Sequence, residues 1–405
     1  MNAKKLDCHL MRALERHSPR ERLPVIVRYR RDRAAPKGLL PGMEVRRQFS
    51  LIPAFSASLA AHEVDALSED PRVDRLWYDI PVKVLLDLSV PAIGAPLIWA
   101  EGYDGAGVKV GVIDTGIDPR HPDLQGRIGG MADVTGEGVT DLSGHGTHVA
   151  GIIAGTGGAQ GGRYRGVAPG AQLFIAKALR SDGSGAMSDS IAGLEWAVGQ
   201  GVHVVNLSLG ASPPGDGTDA LSEACDAAAL KGFVICVAVG NDGPGEGTVG
   251  PPGCAHHVIT VGASGRDDSV AAFSSRGPTL DGRDKPDVLL PGDGIVSCRA
   301  KGTDAGEAVG DMYTRLSGSS MAAPHASGVA ALLLQARPSL TPQQVKAALE
   351  GSALDVGAGR CDQGAGRVDA FRAFTGQAPS RADEPSAGCL LAPLWGLVRG
   401  RRTSL

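Results

Sequence analysis

Four residues spread along the chain carry the side chains that acyl transfer to a hydroxyl group needs. In chain order they are a carboxylate, an imidazole, a primary amide and a hydroxyl: Asp114, His145, Asn241 and Ser320. Serine is a weak nucleophile until a histidine takes its proton, and a carboxylate fixes the tautomer of that histidine and stabilises its positive charge. A preplaced amide donor would stabilise the oxyanion of the tetrahedral intermediate. These residue types therefore indicate acyl-transfer chemistry.

The segment around Ser320 allows two interpretations. Ser317 to Gly328 opens an apolar run that ends before Arg337 and Pro338, and a serine followed by an early proline is ordinary punctuation for the start of a helix. Ser320 could simply cap a buried helix. It could also be a nucleophile at the positive end of the helix dipole, where developing negative charge is favoured. This segment by itself does not decide between them.

The elements that must hold these side chains follow from the apolar pattern. Runs without alternation are predicted strands, and the segments between them are predicted helices: strands 108–113, 173–179, 202–207, 233–239, 258–261 and 288–290, helices 148–154, 188–198, 219–230 and 321–335. Continuous apolar strands separated by helices indicate an α/β fold, a doubly wound, mostly parallel sheet with helices on both faces. Ligands bind beyond the carboxyl ends of such strands, which is where Asp114 and Asn241 fall.

Three motifs resemble those of the subtilisin-like serine endopeptidases, the subtilases. They are Val-Ile-Asp114-Thr-Gly-Ile, Gly-His145-Gly-Thr-His-Val-Ala-Gly and Gly-Ser-Ser320-Met-Ala-Ala-Pro-His, in the order Asp, His, Ser that subtilisin has. The resemblance covers about residues 90–375. It implies Asp114 as the orienting carboxylate, His145 as general base and acid, Ser320 as nucleophile and Asn241 as oxyanion donor. An α/β-hydrolase would instead place its serine first, in a G-x-S-x-G turn.

The resemblance also implies a cleft for protein or peptide substrates. Ser208, Leu209 and Gly210 would form the edge that pairs with an extended peptide by strand addition. Gly250 would lie in the wall of the pocket for the substrate residue before the scissile bond (P1). Because glycine has no side chain, we expect large apolar P1 residues to be accepted. Asp242 suggests added tolerance for Lys or Arg.

The front of the chain is predicted to be a small α+β domain. A strand at 23–30, one or two strands within 46–59, a helix at 60–69 and a strand at 73–79 make up the pattern. It resembles the subtilase propeptide, an inhibitor I9-like domain with a ferredoxin-like fold, which assists folding and then inhibits its own enzyme. The resemblance implies a self-processed zymogen that is cut near residues 85–89.

We therefore expect three parts: propeptide 1–88, peptidase domain 89–375 and a tail 376–405 of unknown use, with residues 80–105 as a connector. Residues up to Leu85 carry 16 Lys and Arg against 11 Asp and Glu, whereas the rest is acidic. This asymmetry favours attraction between the two parts.

Composition limits other functions. No apolar stretch approaches the roughly 20 residues of a membrane helix, and no basic segment is interleaved with aromatic residues. We therefore expect no membrane or nucleic-acid partner, and a monomer. Residues 1–17 lack the apolar core of a signal peptide, which favours the cytoplasm. Secretion remains the alternative, because propeptides are more usual in exported enzymes.

Metal sites are not required by this chemistry. In many relatives an Asn-rich loop after the histidine helix binds calcium together with the aspartate of His-Pro-Asp-Leu. Asp123 is present in that motif, but residues 156–165 contain no Asp, Glu or Asn, so a structural calcium ion is doubtful. The seven cysteines form no CxxC pair, which argues against a disulfide framework or a zinc knuckle. Cys254 with His256 and His257 could bind a metal, although a loop followed by a strand is the preferred interpretation.

Three further polar residues lie in the motifs. We expect His148 and His325 to serve packing or structural hydrogen bonds. Asp141 could line the cleft or cap the helix that His145 begins. Two rival functions stay open: a catalytically dead relative that serves as a binding protein, and a hydrolase of esters rather than peptides.

Overall fold

The computed structural model describes residues 2–7, 10, 11, 13, 14, 18, 21–30, 43, 45–49, 52–79 and 88–376. The chain divides into two compact units, Met1–Val84 and Leu85–Leu405. The proposed tail beyond Gly376 and most of the predicted cleavage region lie outside the described residues. The domain boundaries expected from the sequence therefore stay predictions.

The first unit contains one antiparallel sheet with the strand order β2-β3-β1-β4. Its strands are β1 (Leu23–Tyr29), β2 (Val45–Gln48), β3 (Ala54–Leu59) and β4 (Val73–Tyr78). Alternate residues of β1 are buried, and Val64 and Leu67 of the helix Ala61–Glu69 pack into the same cluster. This order is the one that a ferredoxin-like β-α-β-β-α-β chain gives, and residues 31–42, between β1 and β2, lie outside the description.

The second unit is built on seven parallel strands in the order β11-β10-β9-β8-β5-β7-β6. They are β5 (Lys109–Asp114), β6 (Ile128–Asp133), β7 (Gln172–Lys177), β8 (Val204–Leu207), β9 (Val234–Ala238), β10 (Ile259–Ser264) and β11 (Val288–Pro291). All except β6 were predicted. Strand β6 reads Ile-Gly-Gly-Met-Ala-Asp and lies at the sheet edge, partly exposed, so it has no continuous apolar run.

Helices cover both faces of this sheet. Neighbouring residues of a strand point to opposite faces, and accordingly Val112 belongs to the core on one side and Ile113 to the core on the other. The main helices are His145–Ala154, Met187–Gly199, Ala220–Leu230, Ser319–Ala336 and Pro342–Ser352. Shorter ones are Ser89–Ala92, Ala95–Ala100, Arg360–Gln363 and Ala370–Thr375. The predicted doubly wound α/β fold is confirmed.

A small antiparallel sheet, not expected from the sequence, leads into the helix Ser319–Ala336. It has the order β12-β14-β13, with β12 (Ile295–Cys298), β13 (Glu307–Ala308) and β14 (Tyr313–Leu316). The strands hold only two to four residues each, too few to show a period.

The predicted connector is wrong for the described residues from Leu88 onward. Val90, Ile93 and Ile98, on two short helices, are buried in the main core of the second unit. Pro91 and Pro96 lie in the first turns of these two helices, and Gly94 separates the helices. These residues therefore do not mark a linker. Among the described residues, no helix combines the length and the apolar character needed to cross a membrane.

Candidate active site

Asp114 and His145 are in direct contact at the carboxyl end of the parallel sheet. Asp114 is the last residue of β5 and is fully buried, and its Oδ1 lies 2.7 Å from Nδ1 of His145. Because a carboxylate can only accept, Nδ1 carries the hydrogen and Nε2 keeps the lone pair. The His145 side chain is 26% exposed, so that lone pair can reach a substrate or a second side chain.

The environment of His145 raises its pKa. Burial lowers the pKa of this imidazole, but the charge of Asp114, the hydrogen bond to Asp114 and the charge of Asp141 together outweigh burial. The protonated ring is thereby stabilised, as a base that accepts a proton during a reaction requires.

Asp141 caps the helix that His145 begins, and this settles the alternative left open by the sequence. It is buried, and its Oδ1 accepts the amide hydrogen of Gly144 at 2.7 Å. Its Oδ2 accepts the amide and the hydroxyl of Thr147 at 2.8 and 2.6 Å. Thr115 Oγ1 donates to the same carboxylate at 2.9 Å. A carboxylate at a helix start satisfies free amides and complements the dipole, so Asp141 fixes the entry of His145.

Ser320 lies in the first turn of the helix Ser319–Ala336. Its hydroxyl donates to the carbonyl of Ser208 at 3.2 Å, and the hydroxyl of Ser208 donates back to the carbonyl of Ser320 at 2.8 Å. Within the described part of the chain no hydrogen bond joins Ser320 to His145. His145 and Ser208 line one open cleft of about 450 Å³. Hydrogen bonds between catalytic groups are often long without substrate and shorten in the complex.

Close packing holds the Ser320 helix against the rest of the unit. Gly328 faces Val167, and a Cβ at position 328 would come within 2.5 Å of the Cβ of Val167. Ser327 Oγ donates to Oδ1 of Asn206 on β8 at 3.0 Å. Small residues in this helix therefore permit the short separation that places Ser320 beside Ser208.

Asn241 is oriented by Ser319, a residue whose role the sequence did not reveal. The backbone amide of Ser319 donates to Oδ1 of Asn241 at 2.8 Å, and the single hydroxyl hydrogen of Ser319 is shared between that Oδ1 and the carbonyl of Gly240, each 3.0 Å from Oγ. An amide hydrogen can bond only to an acceptor, so this contact fixes which side of the Asn241 amide is oxygen. The Nδ2 donors then face the other way. A hydroxyl residue directly before Ser320 was the signal that could have pointed to this role.

Four of the expected substrate residues lie in or directly against one cleft. Ser208, Leu209 and Gly210 line the cleft, which also includes residues 183–187. Gly250 packs directly against Ala211, another residue that lines this cleft, and a Cβ at position 250 would collide with the carbonyl oxygen of Ala211. This backbone contact explains the glycine. Asp242 is exposed and accepts a hydrogen bond from Ser212 Oγ at 3.0 Å.

The two other motif histidines have structural hydrogen bonds. His148 Nε2 donates to the carbonyls of Ile295 and Thr314, and burial lowers its pKa to about 3. It therefore joins the helix His145–Ala154 to the small sheet as a neutral ring. His325 Nδ1 donates to the carbonyl of Met321 in its own helix, and burial lowers its pKa to about 4.

The surroundings of Asp123 do not fit a calcium ion. The carboxylate is fully buried, its Oδ1 accepts the amide of Ala159 at 2.8 Å, and its Oδ2 accepts the hydroxyl of Tyr313 at 2.7 Å. The thiol of Cys298 lies 4.0 Å from the same Oδ2. Calcium takes six to eight oxygen ligands, whereas here hydrogen-bond donors already surround the carboxylate.

His121, Asp123 and Cys298 also form a buried group close enough for a transition metal. However, His121 Nε2 donates to the carbonyl of Met312 at 2.7 Å, and Nδ1 accepts the amide of Asp123 at 3.2 Å. Both nitrogens thus have protein partners.

The Cys254 alternative is not assembled in the structure. Cys254 Sγ lies 3.7 Å from Ser222 Oγ and 3.9 Å from Asp219 Oδ2. The backbone amides of His256 and His257 donate to Asp226. Among the described residues these three side chains form no metal-ligand group.

Comparisons with known proteins identify relatives of this chain. The model of the subtilase family matches residues 105–369. Serine protease AprX of Bacillus subtilis (strain 168) is 40% identical over 334 residues, 76% of this chain and 75% of the relative. Subtilisin E of the same strain is 39% identical over 325 residues, 78% of this chain and 79% of the relative.

The structure is likewise similar to a solved one, the crystal structure of a cold adapted subtilisin-like serine proteinase. The TM-score is 0.54 at 32% sequence identity, and the match covers 66% of this chain and 88% of the other.

Proposed function

The chain belongs to the subtilase family and is a serine endopeptidase, and we propose that it cuts proteins through a triad of Asp114, His145 and Ser320. The observation that carries the assignment is the 2.7 Å contact between Asp114 and His145 beside the cleft, with Ser320 joined to Ser208 on the rim of that cleft.

The reaction then has two halves. His145 Nε2 takes the proton of Ser320 Oγ as this oxygen attacks the peptide carbonyl carbon, and Asp114 stabilises the imidazolium. Collapse of the tetrahedral intermediate breaks the C–N bond, and the proton of His145 passes to the leaving amine. Water, deprotonated by His145, then attacks the acyl-enzyme ester, and the Ser320 hydroxyl is restored.

Two donors would stabilise the oxyanion. One is Nδ2 of Asn241, which faces away from Ser319. The other is the backbone N–H of Ser320, which lies in the first turn of its helix, where amides have no carbonyl partner within the helix. The helix dipole adds a positive potential at the same place.

The substrate would be an extended peptide along Ser208, Leu209 and Gly210. Strand addition uses backbone hydrogen bonds, so it accepts many sequences, and the cleft of about 450 Å³ has room for side chains. A preference for large apolar P1 residues, with tolerance for Lys or Arg near Asp242, remains a prediction that a P1 scan would test.

The first unit is proposed to be a propeptide that assists folding, inhibits the enzyme and is removed by the enzyme itself. Its separate core and its antiparallel α+β sheet support this role. The basic charge of this part and the acidic charge of the rest favour association. We also propose that the enzyme works as a monomer without a cofactor.

The deciding experiment is labelling with a serine-directed covalent probe, combined with digestion of a protein substrate. Wild type should be labelled and should digest protein, whereas Ser320→Ala should do neither and should stay uncut. Ser269→Ala, a change at an exposed serine, is the matched control and should behave as wild type. An unlabelled wild type would indicate a catalytically dead binding protein, and labelling with cleavage of esters alone would indicate an esterase. Efficient self-processing of Ser320→Ala would overturn autocatalysis.

A further inference from the structure

One lysine is completely buried next to the proposed catalytic carboxylate. Lys177 ends β7, where its backbone pairs in register with Asp114 of β5, and its side chain is 0% exposed. Removing an ammonium group from water is costly unless its hydrogen bonds and charge are compensated. The partners of this lysine therefore have to be held in specific positions.

One partner is the loop that connects Asp114 to His145. Lys177 Nζ donates to the carbonyl of Thr115 at 2.9 Å. The amide of Thr115 donates to Asp114 Oδ1 at 2.8 Å, and its hydroxyl accepts the amide of Gly146 at 2.9 Å. Thr115 thus links the catalytic carboxylate to the start of the helix that carries His145, and Lys177 fixes the position of Thr115.

The second partner leads to the cleft. Glu137 Oε2 lies 3.5 Å from Lys177 Nζ and accepts the amide and hydroxyl of Ser181 at 2.9 and 2.7 Å. Hydrogen bonds from Ser181 and, to a smaller extent, the charge of Lys177 lower the pKa of Glu137. Ser181 begins the loop whose residues 183–187 line the cleft. The ammonium group of Lys177 is therefore linked both to Thr115, beside the Asp114–His145 pair, and through Glu137 to the loop that lines the cleft.

We infer that Lys177 is a positioning residue for peptide cleavage, which holds the Asp114–His145 pair through Thr115 and connects it to the cleft loop through Glu137 and Ser181. This inference rests on the proposed triad. Lys177 itself does not touch the substrate. Its removal should therefore lower turnover, whereas removal of the link to Ser181 should weaken the binding of peptides long enough to fill the cleft.

The first test is Lys177→Met, which keeps the length of the side chain and removes the charge. Activity is measured per active site, titrated with the serine-directed probe, on a short amide and on a long peptide. We expect kcat to fall about tenfold or more on both substrates with KM for the short amide unchanged, because small misplacements of catalytic groups cost up to about 10²-fold. Lys109→Met, at the opposite end of the neighbouring strand, is the control and should match wild type.

The second test uses Ser181→Ala, which alters a partly exposed residue, leaves the Glu137 carboxylate beside Lys177 and should fold even if Lys177→Met does not. We expect KM for the long peptide to rise several-fold while KM and kcat for the short amide stay unchanged. Wild-type kinetics for Lys177→Met on both substrates would overturn the inference and leave the triad intact. Equal effects of Ser181→Ala on both substrates, or none, would overturn the link to the cleft. A wild type that is not labelled would remove the triad and this inference together.

Discussion

At the scale of single residues, a hydrogen bond decides what each polar group can do. Asn241 is useful to an oxyanion only with its Nδ2 towards the reacting carbonyl, and the backbone amide of Ser319 fixes that orientation by donating to Oδ1. In the same way, the contact with Asp114 leaves the lone pair of His145 on Nε2. The residue type sets which reaction a side chain can take part in, and its hydrogen-bond partner sets how the side chain is oriented.

Ser319→Ala should lower kcat about three- to tenfold with little change in KM. It removes the hydroxyl that is shared between Asn241 and Gly240 but keeps the backbone amide bond to Oδ1, and a single neutral hydrogen bond contributes about 1 kcal/mol. Asn241→Ala should be more severe, about 10²–10³ in kcat, a magnitude known from subtilisin itself. Steady-state kinetics on one amide substrate compares the two, and Ser319→Thr should restore activity. A loss in Ser319→Ala that matched Asn241→Ala would contradict an orienting role.

The pH dependence of kcat/KM should reflect the raised pKa of His145. Only the neutral ring can take the Ser320 proton, so kcat/KM should fall as the pH drops and His145 becomes protonated. Because the pKa of His145 is raised, the midpoint of this fall, the acid limb of the pH profile, should lie above the ordinary histidine pKa of 6.5. The charged groups that act on His145 are Asp114 and Asp141, whereas His148 is neutral. In Asp114→Asn the stabilising charge is lost and the effect of burial remains, so the limb should move to lower pH.

The same substitution should reduce kcat by about 10⁴, the effect of the matching change in another serine-protease triad. Asp267→Asn, in an exposed turn between β10 and β11, is the control. An acid limb that does not move in Asp114→Asn would exclude His145 as the titrating base.

At the scale of elements, several contacts hold the two helices that carry His145 and Ser320. Asp141 caps the helix that begins at His145, and His148 joins that helix to the small sheet. The close contact between Gly328 and Val167 holds the helix that carries Ser320. Asp123, Tyr313 and Ala159 join three further segments through a fully buried carboxylate. The carboxylate of Asp123, which the sequence offered as a calcium ligand, is therefore bound by protein hydrogen-bond donors instead.

Tyr313→Phe should therefore destabilise the protein by about 1–3 kcal/mol, because it leaves a buried carboxylate without one of its donors. A chelator should not change the melting temperature of the wild type. Thermal unfolding of the inactive Ser320→Ala variant, with and without chelator, measures both effects without self-digestion. Tyr164→Phe, which alters a neighbouring ring of the same aromatic cluster, is the control. A melting temperature that fell on chelation and recovered with calcium would contradict this assignment.

At the scale of the whole molecule, the two units differ in charge and in fold type. The first is a small antiparallel sheet with the helix Ala61–Glu69 packed on it, and the second is a parallel sheet covered on both faces. Each has its own hydrophobic cluster. Removal of the first unit therefore need not disturb the core of the second, provided that the cut precedes the core residues.

The mature enzyme should begin within residues 85–89. Val90 and Ile93 are buried in the core of the second unit, so a later cut would remove core side chains, and the division between the units falls after Val84. N-terminal sequencing of the active form checks this. The unprocessed Ser320→Ala chain provides the reference mass. A start beyond Ile93 would show that the helix Ser89–Ala92 is dispensable.

The sequence by itself determined the family chemistry and the fold class. Three motifs with the order Asp, His, Ser identified the candidate triad, because each motif is contiguous and its chemistry depends on residue type. Continuous apolar runs predicted six of the seven parallel strands, because strands buried on both faces admit few polar residues. The edge strand β6 was not predicted because it is partly exposed and therefore has no continuous apolar run.

Only the tertiary structure decided what the isolated polar residues do. The partners of Asp123 on β12 and β14 are 175 and 190 residues away in the chain, and those of Lys177 are brought together by the alignment of β5 with β7. No local pattern encodes such contacts. They arise from strand order and from the need of each buried polar group for a partner. The same requirement for hydrogen-bond partners explains why Asp141 caps a helix and why Ser319 orients Asn241.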